Sequence, residues 1–234
     1  MESPQVVATG FTRRFMQRLI TAIWITTLAG VVAVLSFPES RAVFAAATLA
    51  FPYLLGFLKI GLLGTMGELL GGRIALGRWR LSGIRLWQRA LVWGVLGWVF
   101  TAVFPLFSFG VDGLLVKGLI PGEGSALAAA FWKSLFMNLI FAFPMMVSHR
   151  ITDTLIERGQ LFSIWPLVDV FTGIDWKNMF RIVGFSCLWF WIPAHTFTFM
   201  LLPEFRVVCA ALLAVVLGSI LGLAKKKALS PERF

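Results

Sequence analysis

Apolar residues run through this chain in long stretches, with few polar positions among them and no sustained alternation. Six stretches approach or exceed the roughly 20 residues needed to cross a hydrocarbon core. They are Leu19–Phe37, Ala42–Gly67, Trp87–Phe109, Ala126–Ser148, Met179–Leu202 and Phe205–Ala224. The pattern predicts an all-α polytopic membrane helix bundle of about six transmembrane helices. It divides into a basic N-terminal segment with a first membrane helix (residues 1–41), the main bundle (42–227) and a short polar tail (228–234). Two connecting segments are too interrupted to span and too apolar for plain loops. Residues 77–89 mix arginines with Trp79 and Trp87, a composition suited to the headgroup layer. Residues 161–180 are broken by Pro166, Asp169, Gly173 and Asp175, and read as interfacial or re-entrant.

Composition sharpens this reading. Hydrophobic residues make up 59% of the 234 and charged residues only 14%, whereas a soluble domain carries roughly a quarter charged. The net charge of +10 would suit a polyanion, but no nucleic-acid-binding pattern accompanies it, and no nucleic-acid partner is expected. The basic residues fit a topology signal instead. With six spans, sixteen of the 21 lysines and arginines fall on one side and three (Arg41, Lys117, Arg206) on the other, leaving Lys59 and Lys133 within spans. By the positive-inside bias, both termini face the cytoplasm or a mitochondrial matrix. The first apolar run is longer than a signal-peptide core and lacks a small-residue cleavage site, so it reads as a retained helix. Its Arg-rich, acid-poor approach is compatible with mitochondrial import. Cys187 and Cys209 lie in apolar runs without metal-ligand spacing and read as small buried hydrophobes.

Polar residues inside apolar runs carry the functional interest, because a charge deep in hydrocarbon costs several kcal/mol unless it is paired, hydrated or turned inward. Lys59, Glu68, Lys133, Asn138, His195 and Thr196 are therefore candidate pore-lining or intramembrane polar residues. Lys59 and Glu68 are nine positions apart, about half a turn around one helix, so each needs a partner elsewhere. Gly64, Gly67 and Gly71 share a face with Glu68 and suit close helix contact; Glu68 either lies beside that contact or borders a polar path. Lys133 either snorkels outward or faces water inside the bundle. Asn138 is four residues after Ser134 and could bond a neighbouring helix. Pro144 deprives the carbonyl near Ile140 of its donor, and Pro193 should kink the fifth span. No catalytic constellation, metal-ligand set or cofactor motif is present: there is no GxSxG, HExxH or phosphate loop, and His149 and His195 lie on separate segments. No enzyme activity is expected.

These motifs resemble the Mpv-seventeen and peroxisomal membrane protein family of small integral membrane proteins, over about Tyr53 to Lys227. "LKIGLLGTMGELLGGRI" resembles its first conserved helix, with Glu68 as the acid after glycine. "KGLIPGEGSALAAAFWKSLFMNLIFAFP" is similar to its linker and next helix. Lys133 and Pro144 match there, while Asn138 and Leu139 stand where the family has Asp-Gln. "WIPAHTFTFMLLPEFRV" resembles its closing signature through Trp191, Pro193, Phe199, Pro203 and Arg206. The resemblance implies a small pore or carrier-like pathway for small polar metabolites or ions, in the mitochondrial inner membrane or, alternatively, a peroxisomal or bacterial plasma membrane. The competing expectation is a non-conducting accessory subunit of a larger membrane assembly. Expected partners are membrane lipids, with further copies of the chain or other membrane subunits.

Overall fold

In the computed structural model, which describes residues 4–229, the chain is an all-helical bundle, with no strand among the described residues. Six helical stretches are long and apolar enough to cross a membrane: Thr12–Ser36, Pro52–Leu76, Leu86–Val116, Ala126–Arg158, Trp176–Met200 and Pro203–Lys227. By fold the chain is a polytopic α-helical membrane protein. The tail beyond residue 229 lies outside the described residues.

The second apolar run departs from its expected continuity. It is two helices, α2 (Pro38–Ala50) and α3 (Pro52–Leu76), broken at Phe51. Pro52 supplies no N–H to α2 and restricts the residue before it, so α2 stops and Pro52 occupies the first turn of α3, where a missing N–H costs nothing. α3 ends at Gly77, whose φ of +72° is the left-handed conformation that glycine adopts without strain.

α3 lies between α4 (Leu86–Val116) and α10 (Pro203–Leu229). Close backbone approach holds the three together. A β-carbon on Gly67 would lie 2.7 Å from the Ala214 carbonyl oxygen, and one on Gly71 would lie 2.8 Å from that of Gly218. The opposite side of the contact is also glycine, Gly218 and Gly222 of α10. Gly64 faces the Trp93 ring of α4, and further along Gly56 meets Gly97. In lipid, where burying apolar surface gives helices little reason to associate, this packing supplies the attraction. Ile60, Leu63, Phe100, Phe104 and Ala211 of these helices form the core together with Met137 of the fourth span and Phe199 of the fifth.

The fourth span is α5 (Ala126–Phe136), a π turn (Met137–Ala142) and α6 (Phe143–Arg158). The fifth runs from α8 (Trp176–Asn178) through two π turns, Met179–Gly184 and Cys187–Trp191, into α9 (Ile192–Met200). Two of these π turns stop two residues short of a proline, Pro144 and Pro193. The wide turn accommodates the missing donor and the ring clash.

The first helix, α1 (Pro4–Ser36), is peripheral: none of its described residues is buried. It is tied to the bundle by Gln17, which donates its amide to the Trp79 carbonyl (3.0 Å) and accepts from the Trp79 N–H (2.7 Å). The Trp79 indole donates to Thr21 at 2.8 Å, and Trp24 donates to the Met66 carbonyl at 3.1 Å. Trp79 is therefore buried under α1, where an interfacial position was expected. Trp87 keeps the exposed setting and stacks on Phe162 at 5.5 Å. Residues 161–175 form no spanning helix, and residues 176–180 open the fifth span: α7 (Leu167–Thr172) is a short helix with Phe162, Ile164 and Val168 exposed around it.

Candidate functional site

The pairings along the helices define two ends of the bundle. At the end holding Trp79, Arg89 of α4 extends toward α3 and α6. Its Nη1 donates to Glu68 and, at 3.2 Å, to Asp153; Nη2 lies 3.8 Å from Glu157, and Nε donates to the Ile84 carbonyl at 2.9 Å. Glu68 also accepts from the Trp93 indole at 3.1 Å. His149 stands 3.8 Å from Asp153, one helical turn away, with its ring 4.3 Å from that of Trp93. Arg89 counts as a solvated topology residue in the sequence pattern, yet its side chain is only 10% exposed. A guanidinium shared among carboxylates and a carbonyl is satisfied at a depth where an unpaired one would not be.

Ligand-type atoms of Glu68, His149 and Asp153 all lie within 4.8 Å of one another, the one grouping among the described residues suited to a metal ion. Arg89 already donates to both carboxylates, so a metal there would have to displace it. The sequence reading missed this cluster because it ended the fourth span at Ser148. The available signal was the four-residue spacing of His149 and Asp153, which puts both on one helix face.

Above the cluster, α3, α4, α6, α9 and α10 enclose a cavity of about 240 Å³. Glu68, His149 and Asp153 border it at one end and His195 farther in; Gly64, Gly67 and Trp191 contribute to its wall. The expected residues Lys59, Lys133, Asn138 and Thr196 do not border it. Lys59 donates to Thr48 across the α2–α3 break at 2.6 Å, with its ammonium 4.2 Å from the Phe44 ring centre. The partners that Lys59 and Glu68 each required thus come from other helices.

Asn138 donates to the Ser134 carbonyl at 2.9 Å, which fixes the orientation of its amide, and the same nitrogen is 3.3 Å from His195 Nδ1. An amide nitrogen only donates, so Nδ1 accepts and the uncharged imidazole carries its proton on Nε2. Neither His195 Nε2 nor Asn138 Oδ1 has a protein partner, and both are buried. Ser134 donates to the Ile192 carbonyl at 2.7 Å, locking α5 to α9; Thr196 bonds the same carbonyl within its own helix.

At the opposite end, Lys133 pairs with Asp112 of α4 through both carboxylate oxygens, at 2.8 and 3.0 Å. It therefore has a protein partner, which neither the snorkelling nor the water-facing alternative included. Arg206, counted on the sparsely charged side, donates to Ser108 (2.9 Å) and to the carbonyls of Leu201 (3.1 Å) and Phe199 (3.2 Å). It thereby caps the end of α9. Among the other signature residues, Trp191 packs on His195 at 4.9 Å, Pro193 follows a π turn and Pro203 opens α10.

No protein-family model, curated protein or solved structure matches the chain.

Proposed function

We propose that the protein is a carrier-like conduit for small polar metabolites, held here in a closed arrangement. The observation that carries this reading is the charged cluster Glu68, Arg89, Asp153 and His149 beside an interhelical cavity. Ionisable groups within membrane helices mark solute and proton pathways when they turn toward a bundle interior. Beyond the cluster, Phe100, Phe104 and Met137 form an apolar layer, and the Lys133–Asp112 pair lies on its far side. The resemblance to the Mpv-seventeen family supports the same reading, and with it we propose residence in the mitochondrial inner membrane, both termini facing the matrix.

The test is reconstitution into liposomes loaded with neutral and anionic solutes of graded size. Release faster than from protein-free liposomes, altered in its charge preference by Glu68→Gln, is expected. Liposomes as tight as protein-free ones would overturn the reading. One observation favours a second, accessory role: α1 buries none of its described residues and could serve as a docking helix for another subunit. Constant co-migration with a large assembly in mild detergent, without flux, would decide for it.

A further inference from the structure

The inner part of the cavity differs from its charged end. Around His195 its wall is Phe100, Met137, Phe141, Cys187 and Trp191, and His195 itself is 3% exposed. The Nε2 proton points to no protein acceptor, and a buried donor left unsatisfied costs about 1–3 kcal/mol. A water is a poor remedy, because an ordered buried water needs two to four polar partners. Asn138, whose amide meets the other ring nitrogen of His195, does not border the cavity. Besides His195 the inner wall offers a water only the Trp191 indole and the Cys187 thiol, whereas an oxygen carried on an apolar body needs only the one donor.

Size narrows the occupant. An apolar cavity of roughly 150 Å³ accepts benzene; the whole cavity, its charged end included, is about 240 Å³, room for one two-ring molecule seated with its oxygen at His195. Aromatic and methionine side chains give a flat, polarisable wall suited to rings. Charge is disfavoured, because the ionised groups bordering the cavity are engaged with Arg89 and the inner wall offers a charged ligand no counter-ion.

We propose that the inner cavity binds an uncharged two-ring compound bearing a carbonyl oxygen, which accepts from His195 Nε2. Such a molecule crosses a bilayer unaided, so this inference goes beyond the conduit reading and does not rest on it.

The matched probes are 1-tetralone and tetralin, which share a bicyclic frame and differ in the carbonyl. With the whole protein in lipid nanodiscs, ligand-induced thermal stabilisation gives both affinities. Tetralone should bind roughly three- to tenfold more tightly, the net worth of one hydrogen bond. His195→Phe should erase that advantage while tetralin still binds, and Ala142→Phe, filling the cavity, should erase both. Equal binding of the two probes by wild type would overturn the inference, as would a tetralone advantage that survives His195→Phe. A variant-free measurement stands beside these. Irradiation of wild type with benzophenone should give adducts at Met137 or Met145 that tetralone suppresses at roughly three- to tenfold lower concentration than tetralin; equal suppression at equal concentration would also overturn it. Selective binding without solute release from liposomes would leave this inference standing and end the conduit reading; release without selective binding would do the reverse.

Discussion

Two basic side chains lie within the membrane helices at opposite ends of the bundle, and they are accommodated differently. Arg89 is 10% exposed and is shared by Glu68, Asp153, Glu157 and a backbone carbonyl. Lys133 is similarly enclosed at 11%, but its single partner, Asp112, is 51% exposed. Removing Arg89 strands two carboxylates among helices. Removing Lys133 strands one that already reaches solvent or headgroups. The cost of losing a membrane charge is thus set by how enclosed its counter-charge is, more than by the burial of the residue removed.

The largest expected effect follows from the enclosed end. Arg89→Met should cost about 3–5 kcal/mol, the range for breaking a buried pair by removing one partner, seen as lost folded yield and a lower Tm in detergent. A melting point within a degree of wild type would show that the cluster is as open as the other end. Next comes the glycine seam that positions α3 against α10. Gly67→Leu should drive a side chain into the Ala214 carbonyl and cost about 1–3 kcal/mol, as overpacking does. Gly72→Leu, where a β-carbon meets nothing within 4 Å, is its control. Equal melting of the two variants would remove the seam from the account.

Lys133→Met should cost about 1 kcal/mol or less, since a partner as exposed as Asp112 rehydrates. If it destabilises as much as Arg89→Met, the contrast between the ends fails. The smallest effect belongs to Thr196→Val, whose hydroxyl bonds only its own helix. A change in Tm beyond that of a surface substitution, roughly 0.5 kcal/mol, would mean that Thr196 has a role across helices.

The six spans and the close-packing face at Gly67 and Gly71 were legible because both are written locally, in run length and in a repeat of three to four residues. The halves of the charged cluster were not. Glu68 and Arg89 lie on different helices, and hydropathy treats an arginine at a helix end as a boundary whichever way it points. The capping role of Arg206 was not legible for the same reason, since it depends on where α9 stops. The break at Pro52 was present in the sequence, but an uninterrupted apolar run outweighed one proline. The seam's second half, Gly218 and Gly222, has the same four-residue spacing as Gly67 and Gly71 and would have named α10 as the partner.

The π turn at Met137–Ala142 has a consequence for aim as well as for proline. One additional residue in a helix advances everything after it by about 100° around the axis. α6 therefore presents His149 and Asp153 toward Arg89 only because its rotational phase is offset from that of α5. With the turn wound as ordinary α-helix, those two side chains would swing about a quarter-circle away from Glu68. Deleting Leu139, whose side chain is exposed, would let the turn wind as ordinary α-helix while keeping that phase, and should therefore leave the charged cluster assembled, whereas a deletion within α5 should turn it away.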